Sequence, residues 1–286
     1  MAEAFESQKG ILHCEGCSLK QLAREVGTPL YVYSRKALVE NFNQFDSAFA
    51  NLHHLVCFAV KANSNLSLLK LFRDLGAGYD IVSGGELFRV RQVGVDPQKV
   101  VFSGVGKKNA EIDYALNSNI LLFNVESKAE LDAIEARCKV LNLKARVSFR
   151  VNPDIDPETH PHLSTGLQQH KFGIGMDEAL PLYQQAASLS QVAPVGISFH
   201  IGSQVTSLKP FLDATRRVLQ LVDQLNASGI QLQYIDLGGG LGVRYREESP
   251  PPSPSMRPHS AGCSRVVQRP SFWNQGGFSR RTPRCC

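Results

Sequence analysis

Short apolar runs alternate with amphipathic stretches along most of this 286-residue chain. The apolar runs are bounded by Gly, Pro, Asn or Asp, which is typical of buried strands, and the stretches between them have the apolar spacing of helices. We predict strands over 55–60, 79–82, 99–102, 120–123, 145–151, 195–201 and 233–237, and helices over 66–75, 85–93, 128–141, 177–189 and 209–229.

Alternation of strands with helices predicts a parallel sheet with right-handed crossovers. Seven such units favour a (β/α)8 TIM barrel over an open sheet, with one strand missing from the count. The expected fold class is therefore α/β, with an incomplete barrel that occupies residues 34–248.

Residues 1–33 precede this pattern. Ser18 and Gly27 are favourable ends for a short helix, and Leu30–Tyr33 is predicted to form a strand. The spacing Cys14-Glu15-Gly16-Cys17 is that of a metal or redox motif. Because no second pair and no histidine partner at the spacing of a metal site lie nearby, we interpret it as a turn that carries two thiols and predict no metal site.

The composition changes abruptly at Ser249. The remainder of the chain holds seven of the 15 prolines, six arginines and three of the seven cysteines, but no Lys, Asp or Glu. Such a segment buries too little apolar surface to order, so we expect 249–286 to be disordered. It is either a natural tail or the product of a reading-frame error. We favour the second interpretation because the change falls where a barrel would supply its eighth strand.

The net charge of +5 comes from this last segment, because the rest of the chain holds 25 basic and 26 acidic residues. No basic stripe with interleaved aromatic residues predicts a nucleic-acid partner. The N-terminus lacks a secretory pattern, and no apolar run is long enough to span a membrane. The cysteines are odd in number and irregularly spaced, which is typical of reduced thiols. We therefore expect a cytoplasmic protein without a membrane partner.

Polar residues of restricted type follow the predicted strands. The carboxyl ends of parallel barrel strands face one shared cavity, where such folds place their chemistry. The candidate site residues are Lys61; Asp80, Ser83 and Glu86; Arg150 and Asn152; His200 and Ser203; and Asp236 with Gly238, Gly239 and Gly240.

Each candidate also has a purely structural interpretation. Lys61 could extend to solvent, and His200 could be a hydrogen-bonded core histidine. Asp236 could cap the glycine turn, and Glu86 could compensate a helix dipole. Two aromatic residues near the site, Phe172 and Phe199, are more simply explained by packing than by substrate contact.

The glycine run brings backbone N–H groups together without interference from Cβ atoms, and loops after late barrel strands commonly bind phosphate. Ser203 could donate its hydroxyl to the same anion. A flexible turn would use the same glycines. A lysine at one strand end and a phosphate site at another are, together, what a barrel needs to hold pyridoxal 5'-phosphate.

The motifs FAVKAN, YDIVSGGEL, SFRVNP, the segment from Thr159 to Ile174, SFHIGSQ and DLGGGLG occur in this order. As a set they resemble the alanine-racemase-like, fold type III decarboxylases that use pyridoxal phosphate, over about residues 10–247. Within that family, the similarity is close to the diaminopimelate decarboxylases.

The resemblance implies that Lys61 forms the Schiff base with the cofactor, that His200 stacks on its ring, and that Ser203 and Gly238–Gly240 bind its phosphate. Asp80 and Arg150 would orient the lysine. It also implies a homodimer, residues 1–33 as part of a β-domain, and an amino-acid substrate, meso-2,6-diaminopimelate, that is decarboxylated to L-lysine.

The sequence departs from the family after residue 248. The Glu-Pro-Gly-Arg of the family's eighth strand and the Cys-Glu pair of its β-domain are missing. We therefore expect a truncated or frameshifted chain that is unstable and has little activity. The alternatives are an ornithine or arginine decarboxylase, against which the segment from Thr159 to Ile174 argues, and a non-catalytic cofactor- or partner-binding protein.

Overall fold

The N-terminal residues form a small antiparallel sheet followed by a helix. Strand β1 (Phe5–Gln8) pairs with β2 (Ile11–Cys14), and β2 pairs with β3 (Cys17–Ser18). The first helix, α1 (Leu19–Val26), begins where the Ser18 hydroxyl accepts a hydrogen bond from the Gln21 N–H, and it ends at Gly27. The predicted helix ends are confirmed.

The predicted turn between the two cysteines is confirmed as well. Cys14 and Cys17 lie opposite each other in the β2–β3 register. The intervening Glu15 and Gly16 both have positive φ, 51° and 83°, as in a two-residue hairpin turn. Within the residues that the structure describes, no cluster of three or more His, Cys, Asp or Glu is placed to bind a metal.

The strand predicted at Leu30–Tyr33 is wrong. These residues pair with no strand in the described part of the chain. Tyr31 is 80% exposed, and the Tyr33 hydroxyl instead accepts a hydrogen bond from the Asn63 side chain at 3.0 Å. An apolar run becomes a strand only where a neighbour completes its backbone hydrogen bonds, and none of the described strands does so for this segment.

A closed parallel barrel follows in this computed structural model, which describes residues 4–155 and 172–243 and the backbone of 265–268. Strand β12 (Arg265–Gln268) pairs with β4 (His54–Ala59), and β8 (Ala145–Asn152) pairs with β10 (Val192–Ser198), so the sheet joins its own ends. Among the described residues, the two-residue strand β9 (Ile174–Gly175) pairs with the end of β8 alone. The strands, in order around the barrel, are β4 (His54–Ala59), β5 (Gly78–Ile81), β6 (Val100–Phe102), β7 (Leu122–Val125), β8 (Ala145–Asn152), β10 (Val192–Ser198), β11 (Tyr234–Asp236) and β12 (Arg265–Gln268).

Helices connect the strands on the outside of the barrel. All five predicted barrel helices are present with ends within two residues of the expected ones, whereas two further helices, Arg35–Ala48 and Asn109–Asn117, lie outside the predicted ranges. No helix in the described ranges is long and apolar enough to cross a membrane. The helices are α2 (Arg35–Ala48), α3 (Leu66–Asp74), α4 (Gly84–Gln92), α5 (Asn109–Asn117), α6 (Lys128–Leu141), α7 (Met176–Ser188) and α8 (Lys209–Ala227).

Aromatic contacts fix the helices against the strands. The rings of Phe58 in β4 and Phe72 in α3 stack with centroids 4.3 Å apart. Phe149 in β8 and Tyr183 in α7 meet edge to face at 4.7 Å, and the Tyr183 hydroxyl donates to the Gly196 carbonyl at 2.6 Å. Such buried pairs add stabilisation to the burial of their area, and they set where each strand ends relative to its helix.

The prediction of an α/β barrel is confirmed, and one detail of it needs correction. The eighth position in the barrel is occupied by β12, which consists of four residues that belong to the segment 249–286, where we expected no regular structure. The sequence Arg-Val-Val-Gln contains two β-branched residues, which favour strands. The unpaired edges of β11 and β4 supply the hydrogen-bonding partners that the sequence alone does not reveal.

Proline at position 267 is expected to destabilise the barrel. Proline has no N–H to donate and fits poorly between two paired strands. The substitution Val267→Pro and a chain that stops at residue 248 should both melt several degrees below the parent chain in thermal unfolding followed by circular dichroism. Unchanged melting temperatures for both would show that 265–268 contributes nothing to the barrel.

Candidate active site at the carboxyl ends of the strands

Lys61 lies at the carboxyl end of β4. It is part of a short 3₁₀ turn, Val60–Ala62, and its side chain is exposed. The loop that follows is held by Asn63, whose side chain bonds the Tyr33 hydroxyl and accepts the Asn65 N–H at 2.9 Å. The exposed amine is therefore attached to a backbone that is fixed on both sides.

Glu86 lies within electrostatic range of this lysine. Its carboxylate accepts the Val82 N–H at 2.8 Å, and its own N–H donates to the Ser83 hydroxyl that begins α4. Burial raises the pKa of Glu86, the negative charge of Asp80 raises it further, and the positive charge of Lys61 opposes both. Glu86 thus contributes to the start of the helix and also faces Lys61.

The raised pKa of Glu86 predicts a pH-dependent stability. The folded state favours the protonated carboxyl of Glu86. The stabilisation of the fold by this protonated carboxyl is therefore fully present below the ordinary pKa of 4.5, and it is lost as the pH rises through the raised pKa of Glu86 in the folded state. Relative to the parent, Glu86→Gln should gain stability as the pH rises through that window, as measured by urea unfolding. Glu40→Gln, on the exposed side of α2, gives the background effect of removing a carboxylate. If the stability difference between Glu86→Gln and the parent chain did not change with pH, the prediction would be contradicted.

The glycine loop packs backbone to backbone against the loop after β10. A Cβ atom on Gly238 would lie 2.2 Å from the Phe199 carbonyl oxygen, and one on Gly240 would lie 1.8 Å from that of Gly202. Gly238 and Gly240 have φ of 68° and 101°. No side chain fits at either position, so both glycines are required by space and by conformation.

The same packing brings His200 to the glycine loop. Its Nδ1 lies 3.4 Å from the Gly239 nitrogen, and the ring is half-buried. Ser203 is exposed on the loop after β10. Asp236 accepts the Gly238 N–H at 2.9 Å, which agrees with the structural alternative that it caps the glycine turn.

Arg150 and Asp80 occupy different surroundings. The Arg150 guanidinium pairs with the Glu126 carboxylate at 2.8 Å and lies 6.0 Å from the centre of the Phe172 ring. Asp80 is buried in β5 and accepts the Ser103 hydroxyl at 2.6 Å. Their role in orienting Lys61 stays a prediction.

Sequence reasoning missed the polar residues that follow the third and fourth barrel strands. Ser103 follows β6, Asn124 lies in β7, and Glu126 comes directly after β7. The Asn124 amide donates to Ser103 Oγ at 3.1 Å and to Asp236 Oδ2 at 2.9 Å. The signal was available, because Asn124 interrupts an apolar run in the same way as Lys61 ends one.

A second missed element is a buried ion pair beside these residues. The Lys107 side chain is fully buried and donates to Glu130 at 2.5 Å and to the carbonyl oxygens of Gly104 and Asn124. Burial lowers the pKa of Lys107 and raises the pKa of Glu130, and each charge opposes the shift of the other. The pair joins the loop after β6 to the start of α6 and supports the rim of the barrel.

The residues present fit pyridoxal phosphate on the geometry of the barrel itself. All barrel strands run parallel, so Lys61 after β4 and Gly238–Gly240 after β11 lie on the same rim, with only β12 between their strands. A half-buried imidazole and an exposed hydroxyl lie beside the glycines. This set offers an amine, a flat ring and neutral anion donors, which match the aldehyde, the pyridine ring and the phosphate.

Part of the sequence motif lies outside the described residues. The segment from Thr159 to Ile174, which we used to argue against ornithine and arginine as substrates, is described only from residue 172 onward.

The comparisons with known proteins agree with this site. Residues 35–258 match the family model described as the pyridoxal binding domain of pyridoxal-dependent decarboxylases. A diaminopimelate decarboxylase of Pseudomonas aeruginosa is 51% identical over 249 residues, which cover 87% of this chain and 60% of that protein. One from Aquifex aeolicus is 46% identical over 250 residues, which cover 87% of this chain and 59% of that protein.

Solved structures agree with the sequence relatives. The crystal structure of diaminopimelate decarboxylase from Helicobacter pylori complexed with L-lysine matches with a TM-score of 0.83 and 39% identity, over 89% of this chain and 66% of that one. The chain thus spans about 60% of the length of the curated relatives named above. With more than half of its residues matched, the chain belongs to the family of pyridoxal-dependent decarboxylases and carries its pyridoxal binding domain.

Proposed function

We propose that this chain is the cofactor-binding part of a decarboxylase that converts meso-2,6-diaminopimelate to L-lysine. The observation that carries the proposal is the exposed amine of Lys61 on the same rim as the glycine loop after β11. The substrate follows from the curated relatives, which are about half identical and bear the name of this activity.

The proposed roles follow from the positions of the side chains. Bound pyridoxal phosphate supplies an aldehyde that an amine can attack and a ring that accepts electrons. Lys61 supplies that amine. The carboxyl of Glu86 lies within electrostatic range of this amine, and the positive charge of Lys61 lowers the pKa of Glu86 against the effect of burial. His200 offers a flat face, and Ser203 together with the loop Gly238–Gly240 is proposed to bind the phosphate.

Further parts of the proposal concern the whole protein. We propose a homodimer, with residues 1–33 belonging to a β-domain and residues 34–248 forming the barrel domain, to which β12 adds the eighth strand. The acidic partner of the pyridine nitrogen and the Cys-Glu pair implied by the family resemblance are missing from this sequence. A ring without that acid is a weaker electron acceptor, so we expect little turnover from the chain as given.

The test is the release of CO₂ from candidate amino acids in the presence of pyridoxal phosphate. We expect slow release from meso-diaminopimelate and none above background from ornithine or arginine. Release from ornithine or arginine in preference to diaminopimelate would overturn the proposed substrate. Turnover comparable to a full-length relative would overturn the expectation of low activity.

A further inference from the structure

Four buried polar side chains form a hydrogen-bonded row across the inside of the barrel. Asp80, Ser103, Asn124 and Asp236 are 0%, 5%, 0% and 2% exposed. They come from β5, the end of β6, β7 and β11, and β8 and β10 lie between β7 and β11 in the sheet. The row therefore crosses the barrel interior instead of following neighbouring strands.

The hydrogen bonds of the row all point toward its two carboxylates. The Asn124 amide nitrogen donates to Ser103 Oγ at 3.1 Å and to Asp236 Oδ2 at 2.9 Å. The Ser103 hydroxyl donates to Asp80 Oδ1 at 2.6 Å, and the Gly238 N–H donates to Asp236 Oδ1 at 2.9 Å. Asn124 is thus the common donor for both halves of the row.

Each end of the row reaches a different part of the candidate site. Asp80 pairs in register with Ala59, two residues before Lys61, and its charge acts on Glu86, as does that of Lys61. Asp236 holds Gly238, the first residue of the glycine loop. Asn124 therefore connects the lysine end of the rim with the phosphate end.

The fold itself does not require such a row. Burying carboxylates costs free energy that hydrogen bonds only partly offset, and well-packed apolar residues would serve the barrel at least as well. Polar interiors of this kind are retained where they fix a geometry that the function uses.

We propose that Asn124 is a positioning residue of the cofactor site, which holds Asp236, and through it the Gly238 backbone, in the conformation that binds the phosphate. The inference rests on the proposed function, because it concerns how the same site takes pyridoxal phosphate. Ser103 and Asp80 serve the lysine end of the row, so their loss should not act on the phosphate specifically.

The experiment compares two ligands that differ only in the phosphate. Affinities for pyridoxal phosphate and for pyridoxal are measured by titration, following the visible absorbance band of the lysine-bound ligand, in the parent chain and in three variants. Asn124→Ala should lower the ratio of the affinity for pyridoxal phosphate to the affinity for pyridoxal about tenfold, because it removes a hydrogen-bond donor to the buried Asp236 carboxylate. Ser103→Ala should change both affinities alike and leave the ratio intact.

Ser148→Ala is the matched control. Ser148 is a buried polar residue of β8 whose hydroxyl has no hydrogen-bond partner among the described residues, so its removal should change neither affinity. If Asn124→Ala does not fold, Asn124→Ser keeps one hydroxyl donor and should show a smaller fall of the ratio. If neither variant folds, Asn124 serves the fold, and the positioning role is overturned.

The outcomes separate this inference from the proposed function. A parent chain that shows the absorbance band, with an unchanged affinity ratio in the Asn124 variants, overturns the inference alone. A parent chain that shows no band with either ligand overturns the proposed function and this inference with it.

Discussion

Replacement of Lys61 by alanine is expected to abolish the visible absorbance band that pyridoxal phosphate gives when it bonds a lysine. Lys61 is exposed at the end of β4, on the rim that also carries the glycine loop, and a methyl group cannot attack an aldehyde. The band should disappear completely while the melting temperature stays within a degree or two, because removal of an exposed side chain outside the core costs little.

Lys70→Ala provides the control for this prediction. Lys70 is an exposed lysine of α3, on the outer layer of the barrel. A surface lysine that reacts adventitiously with the aldehyde would give a band that both variants reduce in part. Loss of the band in Lys61→Ala together with its retention in Lys70→Ala is the expected pattern. A band that persists at full strength in Lys61→Ala would exclude Lys61 as the cofactor lysine.

The second large effect is expected for Gly240→Ala. The new methyl carbon would lie 1.8 Å from the Gly202 carbonyl oxygen and 3.4 Å from His200 Cε1, so one of the two loops must move. The positive φ of 101° adds a conformational cost. We expect a loss of at least about 2 kcal/mol in the free energy of unfolding and at least about a tenfold weaker affinity for pyridoxal phosphate.

Gly229→Ala separates the two causes. Gly229 follows α8 with a φ of +83°, but a Cβ atom there would meet nothing within 4 Å. This variant should lose only about 1 kcal/mol in urea unfolding and keep its affinity for the cofactor. Equal losses of stability in the two variants would mean that the close approach of Gly240 to Gly202 does not constrain the loop.

The pattern of the chain predicted most of the barrel. The spacing of apolar residues identified seven parallel strands, and the five predicted helices end within two residues of the observed ends. The predictions of these strands and helices succeed because each strand is buried on both faces and each helix on one face, so the spacing of apolar residues reflects burial directly. Ser18 and Gly27 set the ends of α1 because helix capping is a local interaction.

The prediction failed where the outcome depended on a distant neighbour. Leu30–Tyr33 has the composition of a strand but meets no partner in the described part of the chain, whereas Arg265–Gln268 lies in an unpromising segment and finds two. A strand is completed by hydrogen bonds to other strands, and the availability of an edge cannot be read from the run itself.

The residues of the candidate site also fall into two groups, those that the sequence indicated and those that only the structure revealed. The glycines, His200 and Lys61 were selected as candidates because residues of these types occur together at predicted strand ends. Asn124 and Ser103 were missed: Asn124 visibly interrupts an apolar run, but the run does not show which groups the amide contacts, and the hydrogen bonds to Ser103 and Asp236 come only from the structure.

The sequence by itself determined that this chain is a parallel α/β barrel with an amine and a glycine loop at its strand ends, since burial periodicity and residue type are local properties. Only the tertiary structure decided that β12 lies between those two ends and that Asn124, through Ser103, connects Asp80 to Asp236 across the interior. The physical reason is that closure and register bring together residues more than 100 positions apart, and no local pattern carries that information.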